Sequence, residues 1–238
     1  MRHKFRSRFR ALLNATAFIL LIPVGSLAVQ QTLFNVPSSD VLAPGKVYAE
    51  LDASFRTVGP KFSSFVPRII AGLGRGIEAG VNIAGNIQPG PDDTIVVPTV
   101  KWRAYDGGEN GWIIVAGDNL FIPIRNQSFS IGNYAYAQFS KTLSNKMRVT
   151  AGGYHFSAGV VAQNAQRAGA QLGFEQIVNR GLTLAADWYS GKHALGYLTP
   201  GLIWKAHSKT TGYFGYSIGN RVMRGNHFFL FEIGLNLN

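Results

Sequence analysis

Residues Phe228 to Asn238 read FFLFEIGLNLN. Side chains along a strand alternate between its two faces. Phe229, Phe231, Ile233, Leu235 and Leu237 therefore form one unbroken apolar face, and Glu232, Gly234, Asn236 and Asn238 form the other. A strand of this length with one side wholly apolar is suited to closing a β-barrel whose outside meets lipid.

The residues upstream repeat the pattern. From Gly45 onward the chain divides into segments of roughly ten residues separated by Gly, Asn, Asp and Pro, as expected of a spanning barrel. The first, Lys46 to Arg56, sets Val47, Ala49, Leu51, Ala53 and Phe55 against Tyr48, Glu50, Asp52, Ser54 and Arg56. Further strands are expected at Phe62 to Gly72, Ile77 to Ala84, Thr94 to Tyr105, Trp112 to Ile122, Asn133 to Thr142, Lys146 to Phe156, Ala165 to Val178, Leu182 to Tyr189, Tyr197 to Ala206 and Thr210 to Ile218. With the terminal strand this predicts an all-β, antiparallel up-and-down transmembrane barrel of about twelve strands. Past residue 28 no apolar run approaches the ~20 residues of a spanning helix. The chain is 46% hydrophobic, and its apolar residues are distributed by alternation. With no cysteine, disulfide scaffolds and thiolate metal sites are excluded.

The N-terminus carries Arg2, Lys4, Arg6, Arg8 and Arg10, then an apolar run from Ala15 to Val24, then Ser26-Leu27-Ala28. This has the form of a secretory signal peptide cleaved after Ala28. The predicted organisation is a signal peptide over 1–28, a periplasmic lead-in or short plug over 29–44, and a barrel over 45–238. Five of the 23 basic residues leave with the signal, so 18 remain against 12 acids. That mild excess suits anionic lipid headgroups and lipopolysaccharide phosphates, and it lacks the dense basic patch of a nucleic-acid binder.

The connections alternate in length. Gly72–Gly76, Asp106–Gly111, Ser144-Asn145, Asn179–Gly181 and His207–Lys209 are tight, and between them lie longer stretches such as Asn86–Asp93, Arg125–Ser130 and Ser157–Gln163. Short turns on one side and longer loops on the other, a signal peptide and an apolar-faced last strand together resemble the bacterial outer-membrane β-barrel class. The resemblance covers Gly45 to Asn238. It implies export to the outer membrane of a Gram-negative bacterium, with the last strand read by the barrel-assembly machinery. The chain departs from the class in ending on Leu237-Asn238 where an aromatic is usual.

If the apolar set faces lipid, the other faces the lumen. Glu50, Asp52, Glu78, Glu175, Asp187 and Glu232 then point inward, with Arg68, Lys101, Arg103, Arg148, Arg167 and Lys205. These twelve are the expected pore-lining residues. They either bridge one another or line a narrow polar channel, with Arg68, Lys101, Arg103 and Arg148 as a basic track for anions. Trp102, Trp112, Trp188 and Trp204 fall near strand ends and suit headgroup girdles. Arg56, Lys61, Arg125, Lys192, Arg221 and Arg224 are expected at the lipopolysaccharide level.

One local stretch, Tyr154-His155-Phe156-Ser157-Ala158-Gly159, is similar to the His-x-Ser-x-Gly segment of outer-membrane phospholipase A, also a twelve-stranded barrel. His155 and Ser157 share a strand face, as a Ser–His pair requires. The chain departs in having Ala158 where that family has Asn, and its nearest orienting candidate, Asn164, is closer in sequence. No paired-His zinc spacing, phosphate-binding loop or calcium loop is present, so no cofactor or metal is expected. The reading taken forward is a non-enzymatic, porin-like passive channel for small polar or anionic solutes. A non-conducting structural or surface-binding barrel and a lipid hydrolase are the alternatives.

Overall fold

A computed structural model describes residues 31–57, 61–88, 94–108, 111–125, 130–193, 195–220 and 227–238. The expected signal peptide, Asp92 and Asp93, and the basic residues Arg221 and Arg224 lie outside them. Thirteen strand segments run in chain order as a meander: β1 (Val47–Arg56), β2 (Phe62–Gly74), β3 (Ile77–Ala84), β4 (Asn86–Gln88), β5 (Ile95–Asp106), β6 (Trp112–Pro123), β7 (Gly132–Thr142), β8 (Met147–Phe156), β9 (Ala168–Asn179), β10 (Leu182–Tyr189), β11 (Tyr197–Lys205), β12 (Thr210–Gly219) and β13 (His227–Asn236). Short β4 continues β3 past Gly85 along the same partner, β2. The sheet therefore has twelve staves, all antiparallel, and β1 pairs with both β2 and β13 to close it.

The meander follows from the turn chemistry. Between β2 and β3 the two central residues, Arg75 and Gly76, both have positive φ (52° and 73°). That is the two-residue hairpin geometry whose twist matches the flanking strands. The turns after β5, β7, β9 and β11 lie at the same end of the barrel, and the longer connections lie at the other. Strand bounds agree with the sequence expectation to within three residues. The exception is β4, which falls in a stretch expected to be loop.

Alternation sorts the side chains as expected. On β13, Phe228, Leu230 and Glu232 are buried within, while Phe229, Phe231, Ile233, Leu235 and Leu237 are exposed on the outside. The outer apolar face continues around the wall through Leu51, Phe65, Ile69, Val100, Leu172 and Leu202. A belt of this extent far exceeds the apolar patches that soluble proteins expose to water. Trp102, Trp112 and Trp204 stand exposed near the turn end. Trp188, near the loop end, donates its Nε1–H to Asn220 Oδ1 at 3.0 Å.

Arg placed at position 231, mid-strand on the outer face, is expected to lower the unfolding free energy by about 2–4 kcal/mol. Urea unfolding of Phe231→Arg in lipid vesicles against the parent chain measures this, with Lys209→Gln in the exposed turn after β11 as the near-neutral reference.

Candidate functional site

Of the stretch 29–44, expected as a lead-in or a short plug, residues 31–42 lie inside the barrel, and Ala43 and Pro44 are exposed at its turn end. Gln31 to Ser38 form a compact reversal: the Leu33 N–H donates to Val36 O at 2.8 Å and the Ser38 N–H to Gln31 O at 3.0 Å. Leu33 and Val36 are fully buried and Phe34 nearly so. The wall has room for them because it carries glycine opposite. A Cβ at Gly201 would come within 2.5 Å of the Phe34 ring, and one at Gly173 within 2.9 Å of Leu33 Cδ2.

Wall side chains hold this segment from opposite sides. Asp187 on β10 receives three successive backbone N–H groups on one oxygen, from Phe34 at 3.0 Å, Asn35 at 2.5 Å and Val36 at 2.7 Å. Consecutive N–H groups converging in this way form an anion-binding nest. Asn35 Nδ2 also donates to Thr199 Oγ1 on β11 at 3.0 Å. Across the lumen, Glu78 on β3 accepts the Leu42 N–H at 2.7 Å and Gln31 Nε2 at 3.2 Å, and pairs with Lys101 on β5 at 2.9 Å. Lys101 Nζ reaches the carbonyls of Gln31 and Ser38, and Gln138 Nε2 donates to Pro37 O.

A third station lies on β8. Arg148 donates two parallel hydrogen bonds to Asp40, at 2.7 and 3.1 Å, and two more to Glu175, at 2.5 and 2.8 Å. Bidentate pairs of this kind fix geometry as well as charge. Burial pushes the Asp40 carboxyl up, but the Arg148 guanidinium against it and the nearby Lys101 and Arg103 together hold it below the usual carboxylate range.

The twelve residues expected to line a pore are therefore mostly inward but do not form a track. Arg68 pairs with Glu50 and Asp52, Lys101 with Glu78, and Arg148 with Asp40 and Glu175. Arg103 pairs with Asp106 at 3.2 Å where β5 ends. Lys205 is half-buried at the turn end of β11. Arg167 departs from expectation: it is exposed in the connection before β9. A turn closed by the Ala165 N–H on Ala162 O delays the strand until Ala168.

Sequence reading did not single out the tyrosines. Tyr134, Tyr136, Tyr154, Tyr189 and Phe156 face inward and pack with Val36 and Val160. Their hydroxyls are used: Tyr134 donates to Gln171 Oε1 at 2.9 Å, and Tyr154 lies 2.6 Å from His193 Nε2. His193, in the β10–β11 connection, is held below its ordinary pKa by burial. Above this aromatic layer, at the loop end, is a largely apolar cavity of about 510 Å³ lined by Phe121, Val160, Val161, Lys192 and Leu195 among others. The inward period-two positions at the loop halves of β7 and β8, all Gly, Tyr or Phe, were the available signal.

His155 and Ser157 fall at the end of β8. His155 is exposed on the outer face, while Ser157 Oγ accepts the Asn133 N–H at 2.8 Å. Asn133 Nδ2 donates in turn to Asp118 at 2.7 Å. Asn164, the orienting candidate, is exposed in the following connection.

No protein-family model matches the sequence, and no curated protein matches it. Among solved structures the fold is similar to that of an outer membrane channel from Pseudomonas putida F1, at 14% identity and TM-score 0.53, covering 84% of this chain and 98% of that one. It is also similar to outer membrane phospholipase A from Escherichia coli in an active-site asparagine-to-alanine variant, at 14% identity and TM-score 0.50, covering 93% and 96%. The chain has the fold of the bacterial outer-membrane β-barrels.

Proposed function

We propose that this chain resides in the outer membrane as a small passive channel for polar solutes, held shut by its own residues 31–42. The observation that carries the reading is the seat of that segment: three backbone N–H groups on Asp187, with glycines in the wall opposite Leu33 and Phe34. The segment fits a lumen shaped to receive it, held by hydrogen bonds and ion pairs together with the buried side chains of Leu33, Phe34 and Val36, so the shut state is the resting one. Displacement would release Arg148 from Asp40 and Lys101 from two carbonyls, and would equally strip donors from Asp187 and Glu78. The opened lumen presents both signs. That supports modest polar solutes, anions among them, with weak ionic preference.

The turn end is assigned to the periplasm, with β13 as the strand offered to the assembly machinery. Lys61, Arg125 and Lys192, exposed at the loop end, suit lipopolysaccharide phosphates. A lipid hydrolase would need His155 to reach Ser157; His155 is exposed on the outer face, and Ser157 Oγ accepts the Asn133 N–H.

In a planar bilayer the refolded mature chain is expected to be nearly silent, and a variant lacking residues 31–42 to show stable conductance steps. Silence from the truncated barrel, shown to be folded and inserted, would assign a structural role instead. Asp187→Ala leaves three buried N–H groups without their acceptor, each costing about 1–3 kcal/mol. The amides of Phe34, Asn35 and Val36 are then expected to exchange hydrogen at least tenfold faster in that variant, read by mass spectrometry, with brief openings appearing in the current record.

A further inference from the structure

The seam where the barrel closes holds a group of charges whose contact with the inserted segment runs through Arg68. Register sets Asp52 on β1 directly opposite Glu232 on β13, and Glu50 on β1 opposite Arg68 on β2. Tyr213 on β12 stands opposite Glu232 from the other side. Arg68 pairs with Glu50 Oε1 at 3.0 Å and with Asp52 Oδ2, and the Tyr48 hydroxyl donates to Glu50 Oε2. Tyr48 holds its place over the seam because Gly234 lies beneath it: a Cβ there would collide with the Tyr48 hydroxyl.

These contacts leave a remainder. Asp52 Oδ1 and both carboxylate oxygens of Glu232 are buried with no hydrogen-bond partner among the described residues, and Glu232 is only 4% exposed. With all three ionised, the carboxylates face a single guanidinium, an excess of two negative charges away from water. Buried charge of that kind calls for a counter-charge.

One ligand atom from each of Glu50, Asp52 and Glu232 lies within 4.8 Å of the others. An ion that binds oxygen at about 2.3–2.6 Å spans such separations and can touch all three. The donor set is carboxylate only, with no thiol or imidazole, which selects a hard cation over zinc or copper. The charge excess matches a divalent ion.

We propose that Glu50, Asp52 and Glu232 bind a hard divalent cation of the calcium type at the closing seam. Bound there, the ion joins β1 to β13 through side chains in addition to their backbone ladder. Through Arg68, whose Nη1 also lies 3.4 Å from Thr32 Oγ1, the site adjoins the inserted segment. The proposal does not depend on whether the barrel conducts.

Terbium(III) is the probe, because it takes calcium-type sites and its emission is sensitised by nearby aromatic rings such as Tyr48 and Tyr213. With the folded mature chain in uncharged detergent, saturable terbium emission that added Ca²⁺ displaces is expected. Glu232→Gln should weaken terbium binding by about tenfold or more, since affinity follows the number of charged ligands. Asp106→Asn, in an exposed turn, should leave it unchanged. Ca²⁺ should raise the unfolding temperature of the parent chain and not that of Glu232→Gln. If Glu232→Gln fails to fold, Asp52→Asn takes its place with the same expectations. Unchanged terbium affinity in these variants, or no saturable emission from the folded parent chain, overturns the proposal; the second result would mean that the carboxylates share protons among themselves.

Discussion

A strand surrounded by lipid has no water to complete its hydrogen bonds, so a spanning sheet must close on itself. Here closure is the antiparallel ladder between β1 and β13, running from Tyr48 opposite Asn236 to Phe55 opposite Phe229. Closure also decides what lies within. Alternation sends every second side chain inward, and twelve staves enclose more space than those side chains alone fill. The space is taken up by water or by chain, and in this protein residues 31–42 occupy it.

The chemistry of the inner face follows from that occupancy. A returning segment brings backbone N–H and C=O groups into a confined space, and each needs a partner. The wall supplies carboxylates for the N–H groups, Asp187 and Glu78, and an ammonium and an amide for the carbonyls, Lys101 and Gln138. Buried ion pairs contribute little net stability once desolvation is counted, and their main effect is to specify one arrangement. The Arg148–Asp40–Glu175 triad is therefore better seen as fixing where the segment sits than as holding the barrel together.

Strand positions and facing were legible because period-two alternation is a local property: FFLFEIGLNLN alone separates Glu232 from Phe231, and the structure keeps them on opposite faces. Partners were not legible. Alternation says that Arg148 points inward but not that Asp40, more than a hundred residues earlier, meets it there. Residues 31–44 have no period at all, so nothing in their pattern distinguishes a segment in the lumen from one outside it. The basic track expected of Arg68, Lys101, Arg103 and Arg148 dissolved into separate pairs for the same reason. Arg167 was misassigned because a turn at Ala162–Ala165 interrupts an alternation that continues through it.

The N-terminal segment lies in the lumen against β10 and β11. The chain contains no cysteine, so two introduced thiols report on one another without interference. Asn35 Nδ2 and Thr199 Oγ1 are 3.0 Å apart, so thiols introduced as Asn35→Cys and Thr199→Cys lie within reach of a short bis-thiol crosslinker in the folded barrel. Rapid intramolecular crosslinking, which then shields both positions from a membrane-impermeant maleimide, is the expected result. Two thiols that resist crosslinking and label freely and independently in the folded barrel would place the segment outside the lumen.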